Sequence, residues 1–187
     1  AMNIRVKENL SNKNQKKCVV IGDLMADITK NNSSSLTSEN DKWIAILPGS
    51  KKAKLSIGVP YFLQMADYIS NENRNLKILI PIAPTTSLED YLYFQSIENP
   101  ISKYYSSKIK KIKKIENAVF DYIIETNKRT KIHILTRNPN YEILSQCSLA
   151  ITTVGANTAE LAAINLPMII VLPTQHLSYM SAWDGIV

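Results

Sequence analysis

The stretch Leu149-Ala150-Ile151-Thr152-Thr153-Val154-Gly155-Ala156-Asn157-Thr158-Ala159-Glu160-Leu161-Ala162-Ala163 changes character at its single glycine. Before it, residues 149–152 form a short apolar run, the pattern of a strand covered on both faces. After it, the spacing predicts a helix over 156–165. A buried strand that passes through a glycine into a helix is the repeating unit of an open parallel α/β sheet.

The unit recurs in both directions. Further strands are expected at 18–21, 43–47, 76–80, 131–135 and 168–172, and helices at about 58–72, 87–97, 108–127, 140–146 and 176–184. Pro48-Gly49-Ser50, Pro81, Pro84, Pro139, Pro167 and Pro173 fall at or just outside the ends of these elements, where turn formers belong. The expected fold is a Rossmann-like three-layer α/β domain with a mainly parallel sheet. Residues 1–16 are polar and read as a flexible N-terminal segment, and 31–38 read as a second linker. Residues 17–187 then make one domain.

A chain of 187 residues with 45% hydrophobic and 20% charged residues can bury one core, which excludes a disordered or fibrous class. No apolar run reaches the roughly 18 residues of a membrane span, and residues 1–5 lack the apolar core of a signal peptide, so the cytoplasm is the default compartment. Cys18 and Cys147 sit in apolar surroundings and imply neither a disulfide framework nor a metal site. The last residues stop just after an expected helix, and Ala1 precedes Met2, which together read as an excised domain.

The net charge of +6 is unevenly spread. Lys103, Lys108, Lys110, Lys111, Lys113 and Lys114 crowd one stretch among Tyr104, Tyr105, Ile109, Ile112 and Ile115. One reading is the solvated face of an amphipathic helix. The other is attraction to an anionic membrane surface or an acidic substrate, possibilities that leave the fold unchanged. Nucleic acid is not an expected partner, because no recognition motif accompanies the charge.

Ligands of open α/β sheets bind beyond the carboxyl ends of the strands. After 43–47 comes Pro48-Gly49-Ser50-Lys51-Lys52-Ala53-Lys54, where Gly49 admits a phosphate, Ser50 offers a hydroxyl, and Lys51 or Lys54 a charge. A plain strand-to-helix turn explains the same residues, and neither the Walker nor the dinucleotide pattern is met. At 154–160 the helix start can receive an anion while Glu160 accepts hydrogen bonds from a ribose. An ordinary helix capped by Asn157 or Thr158 is the competing reading. Gln175 and His176, after the last strand, are equipped to grip sugar hydroxyls, and His133, among isoleucines, reads as structural.

Four segments stand out together: Thr153-Val154-Gly155-Ala156-Asn157-Thr158-Ala159-Glu160, Leu47-Pro48-Gly49-Ser50-Lys51, Gly22-Asp23-Leu24-Met25-Ala26-Asp27 and Pro173-Thr174-Gln175-His176. Together they resemble the C-terminal, donor-binding domain of GT-B glycosyltransferases, particularly the lipid-A-disaccharide synthases and their cyanobacterial and plastid relatives. The stretch from Leu166 to His176 is similar also to the UDP-GlcNAc transferase of peptidoglycan synthesis. The resemblance implies one half of a GT-B fold, with a UDP-sugar as donor substrate and no separate cofactor. It implies that Gly49, Ser50, Gly155, Ala156, Asn157 and Thr158 surround the diphosphate, with Lys51 adding charge. Glu160 would hold the ribose, residues about Thr136-Arg137-Asn138 the base, and Gln175 the sugar. The family usually carries His-Pro at Asp23-Leu24, Arg at Lys51 and Ser at Val154.

The resulting expectation is a donor-binding domain that works with an N-terminal acceptor domain and is inactive in transfer alone. A nucleotide-sugar 2-epimerase-like domain is the alternative within the same architecture. A non-enzymatic module that binds lipid or protein through Lys108, Lys110, Lys111, Lys113 and Lys114 is the alternative outside it.

Overall fold

A computed structural model of the chain describes residues 4–21, 36, 41–116 and 119–174. In chain order these form α1 (Ile4–Glu8), α2 (Asn12–Gln15), β1 (Lys42–Leu47), α3 (Lys52–Glu72), β2 (Leu76–Pro81), α4 (Leu88–Gln95), a 3-10 turn (Ser102–Tyr104), β3 (Ile109–Lys114), β4 (Tyr122–Thr126), β5 (Lys131–Leu135), α5 (Tyr141–Leu144), β6 (Leu149–Thr153), α6 (Ala156–Ala163) and β7 (Met168–Val171). The seven strands make one sheet in the order β3-β4-β5-β2-β1-β6-β7. From β5 to β7 all neighbours are parallel, while β3–β4 and β4–β5 are antiparallel. This is a Rossmann-like α/β domain.

Alternation along the strands splits the core into two layers. Ile44, Ile46, Ile78, Ile80, Ile132 and Ile134 pack with Leu55, Val59, Phe62 and Leu63 of α3 and with Tyr91 and Phe94 of α4. The residues between them, Trp43, Ala45, Leu79 and Leu135, pack with Ile143 and Leu144 of α5 and Leu161 of α6. His133 lies in that second layer beside Trp43 and Phe120, with ring centroids 4.9 and 4.8 Å away, and desolvation holds its imidazole below the usual range.

Chain direction sets where the site falls. From β1 the chain goes through α3 to β2 on one side, and from β6 it goes through α6 to β7 on the other. Strand order therefore reverses between β1 and β6, the switch point at which open sheets leave a crevice.

α3 approaches this crevice closely. A Cβ on Gly58 would lie 2.4 Å from the carbonyl oxygen of Pro48, so only glycine lets the helix pack against the β1–α3 turn. Two residues on, Pro60 lacks the N–H that would bond the carbonyl of Ser56. Asn99 Nδ2 donates to that carbonyl instead, at 2.7 Å, which satisfies it and anchors the chain after α4.

Two expectations are corrected. Residues 108–127 are not a helix: they contain β3 and β4, an antiparallel pair ending the sheet. The register passes from Ile109↔Thr126 to Lys111↔Glu125, so Lys110 is an extra residue in β3. That bulge puts Ile109 and Ile112, three apart, on one face, reproducing in a strand the spacing of a helix. The exposed lysines of this edge strand deter pairing with another chain. Lys108 stands apart from them, since its ammonium donates to the Ser102 carbonyl at 2.8 Å and burial lowers its pKa.

Residues 18–21 form no strand, and Val19 and Ile21 are exposed. Four apolar residues fix a strand only where a sheet edge receives them. Residues 4–8 and 12–15, expected as linker, form α1 and α2, neither of which has a buried residue. The expected helix at 176–184 and nearly all of 31–38 lie outside the described residues. No described helix is long and apolar enough to cross a membrane.

Gly58→Ala is expected to destabilise the domain by about 1–3 kcal/mol, the usual cost of overpacking. Thermal denaturation should show a Tm lower by roughly 2–12 °C. An unchanged Tm would mean that α3 does not need this close approach.

Candidate functional site

Beyond the ends of β1 and β6 lies a cavity of about 470 Å³, within the range of small-molecule sites. Gly49, Ser50, Lys51 and Lys54 line it from the β1 side, and Thr153, Val154, Gly155, Ala156, Asn157 and Glu160 from the β6 side. Pro84, Asn138 and Asn140 border it, and with Glu160 they also line an adjoining cavity of about 330 Å³ that includes Pro139 and Tyr141.

Two helices point their N-terminal ends at this space. α3 begins after Lys51 and α6 after Gly155, and neither N-cap residue makes a side-chain capping bond. α4 has a full capping box between Ser87 and Asp90, whereas α2 and α5, like α3 and α6, have no side-chain cap. The reading in which Asn157 or Thr158 caps α6 is thereby corrected. Thr158 Oγ1 turns back to donate to the Gly155 carbonyl at 2.7 Å, and Asn157 Nδ2 donates to Thr152 Oγ1. The Thr158 amide bonds the Gly155 carbonyl at 3.0 Å, while Ala156 and Asn157 line the cavity at the positive end of the helix dipole with no side-chain cap, an arrangement suited to an anion.

The two sides are tied together by Lys54. Its ammonium donates to the Val154 carbonyl at 2.6 Å, bridging the turn after β1 and the turn after β6. Burial first, and the neighbouring Lys51 second, lower its pKa below that of an ordinary lysine. Lys51, the cation preferred from sequence, also lines the cavity but is exposed. The three-residue offset from Lys51 to Lys54 is nearly one helical turn, and it carries the charge from the mouth to the junction.

Glu160 is half-buried, about 6 Å along the α6 axis from Ala156 at the usual helical rise. Tyr141, at the start of α5, lies close enough to the Glu160 carboxylate to feel its charge. Burial chiefly, then that carboxylate, raises the phenol above its ordinary range. An ionised carboxylate is an acceptor of hydrogen bonds, which suits it to hydroxyl donors of a ligand.

Other expected residues fall elsewhere. Thr158 is not among the lining residues, and Arg137 also lies outside the lining, with its Nε 3.6 Å from Asp121. Thr136 bonds the same Asp121 carboxylate through its amide at 2.8 Å and its hydroxyl at 2.9 Å. Of the 136–138 segment only Asn138 borders the cavity, and Gln175 and His176 lie outside the described residues. Sequence reasoning did not single out Tyr141 or Thr153; the end of β6 was the one signal pointing to Thr153.

The fold and the cavity define a Rossmann-like domain with an anion-suited crevice at its topological switch point. No family model matches the chain. Its sequence is similar to lipid-A-disaccharide synthases, GT-B glycosyltransferases. It is 22% identical to that of Rickettsia prowazekii (strain Madrid E) over 142 residues, which are 76% of this chain and 29% of the relative. It is 22% identical to that of Blochmanniella pennsylvanica (strain BPEN) over 172 residues, 88% of this chain and 36% of the relative. The chain therefore spans about a third of the length of these curated relatives.

The two glycines beside the cavity should respond differently to alanine. Gly49 has φ +118° and a Cβ there would lie 3.0 Å from Lys54 Cβ, so Gly49→Ala is expected to lower stability by about 1–3 kcal/mol. Gly155 is extended, and its Cβ would meet chiefly the Oδ1 end of the Asn157 side chain, so Gly155→Ala should cost under about 1 kcal/mol. Chemical denaturation of both variants measures the difference, and equal losses would contradict the geometry.

Proposed function

We propose that this chain is the donor-binding domain of a GT-B glycosyltransferase that uses a UDP-sugar. The observation that carries the reading is the convergence of two uncapped helix starts and Lys54 on one end of the cavity, with Glu160 one helical turn away. The first group suits a diphosphate and the second a ribose, and their separation of about 6 Å suits a nucleotide that joins the two. Similarity to lipid-A-disaccharide synthases supports the glycosyl-transfer part of the reading.

In this reading the domain acts on the leaving group. As the bond between sugar and phosphate breaks, negative charge grows on the diphosphate, and fixed amides and lysines stabilise it without reorganising. Lys51 neutralises charge at the mouth, while Lys54 shifts part of its hydrogen bonding from Val154 toward phosphate. Transfer also needs an acceptor site and a base, which this reading assigns to polypeptide outside these 187 residues. The chain alone therefore binds the donor and does not turn it over.

Calorimetric titration of UDP, UDP-GlcNAc and ADP, repeated with Glu160→Ala, tests the donor site. UDP is expected to bind more tightly than ADP, and Glu160→Ala to weaken UDP by about tenfold, as for one hydrogen-bonded charged group. Equal or absent binding of all three, insensitive to Glu160→Ala, would refute the reading.

Lys54 adds a pH signature. Its pKa is lowered in the free protein, and a docked diphosphate raises it again, so binding takes up protons between the free-state and bound-state pKa. Affinity should then fall as pH rises through the free-state pKa. Titrations in buffers of different ionisation enthalpy measure the uptake, which should disappear in Lys54→Met.

A further inference from the structure

Five buried side chains among the described residues have a polar atom without a hydrogen-bond partner: Trp43, Asp67, Tyr91, Ser107 and Thr153. Of these only Thr153 lines the cavity. Thr153 is the last residue of β6, 1% exposed, and its hydroxyl oxygen lies 3.5 Å from the point that a Cβ on Gly49 would occupy. The hydroxyl therefore faces the Gly49 position of the β1–α3 turn, which carries no side chain.

Its neighbours are otherwise occupied. Thr152 Oγ1 donates to the Thr153 carbonyl at 3.2 Å and accepts from Asn157 Nδ2, and Val154 offers no polar side chain. A buried hydroxyl left unpaired costs stability, whereas valine would fill the same space with no such cost. A threonine here is accounted for by a partner that arrives with the ligand.

We propose that Thr153 is a phosphate-binding residue, its hydroxyl donating to a ligand oxygen seated between the Gly49 turn and the first turn of α6. This rests on the donor-site reading and deepens it by assigning the side-chain donor of the diphosphate subsite. The amides of α6 bind any anion, but a hydroxyl fixed at the end of β6 selects where the phosphate sits along the crevice.

Thr153→Val removes the hydroxyl and keeps the shape, and Thr153→Ser keeps the hydroxyl. Each variant of the 187-residue chain is titrated with UDP and with inorganic pyrophosphate, and its Tm is measured. Thr153→Val is expected to weaken both ligands by about tenfold or more, as for a hydrogen bond to a charged group, with Tm equal to or above wild type. Thr153→Ser should bind both ligands within about threefold of wild type, since it retains the donor. Wild-type affinity in Thr153→Val overturns the assignment while the donor site stands. Loss for UDP with none for pyrophosphate also overturns it, by placing the hydroxyl on the nucleoside. A clear drop in Tm, or failure to fold, marks the hydroxyl as one the fold itself uses, and overturns it too. If wild type binds pyrophosphate but not UDP, the nucleotide reading falls and the pyrophosphate arm alone decides Thr153. If wild type binds neither, both fall.

Discussion

Two parallel strands of the sheet, β1 and β6, lie side by side yet hand their chains to opposite faces. The chain leaving β1 turns toward α3, and the chain leaving β6 turns toward α6. Among the described residues, no connection between strands runs across the gap between the two turns. Lys54 closes the gap with a charge-assisted hydrogen bond to Val154. Such a bond is stronger than one between neutral groups, yet its cation remains available to an incoming anion. The same contact thus braces the two turns against each other.

How near the helices come to the gap depends on what glycine permits. Gly58 lets α3 settle against the Pro48 carbonyl, which brings Lys54, four residues earlier, into line with Val154. Pro60 would leave the Ser56 carbonyl unpaired in that deep position, and Asn99 supplies the missing donor from another segment. Packing and polar satisfaction therefore act together, and the site rests on a helix whose position is fixed from both of its long sides.

The parallel core was legible because its signal is local. Runs such as Ile44-Ala45-Ile46 and Ile151-Thr152-Thr153, each followed by a glycine turn and a helix, carry both strand type and connection in a few residues. The antiparallel end was not legible, because a single bulged lysine gave β3 the isoleucine spacing of a helix, and only pairing with β4 reveals it. Within the site, residues named for their place after a strand, such as Gly49 and Gly155, do line the cavity. Residues whose role depends on direction were harder to read. Thr158 turns inward to its own helix, Arg137 turns to Asp121, and Thr153 belongs to a strand whose alternation says which face it takes but not what it lacks.

The charge distribution narrows what can occupy the cavity. Lys51, Lys54 and two helix starts make one end positive, whereas Glu160 makes the far side an acceptor. An anion alone satisfies the first end and is repelled by the second. A neutral sugar alone could use Glu160 but would leave the positive end with water. A ligand that satisfies both must carry negative charge at one end and hydroxyl donors about one helical turn away, and the adjoining space beside Asn138, Asn140 and Tyr141 leaves room for a further ring. Under the proposed donor-site reading, the site discriminates by the arrangement of groups along the ligand more than by total charge, because strand order reverses where β1 meets β6.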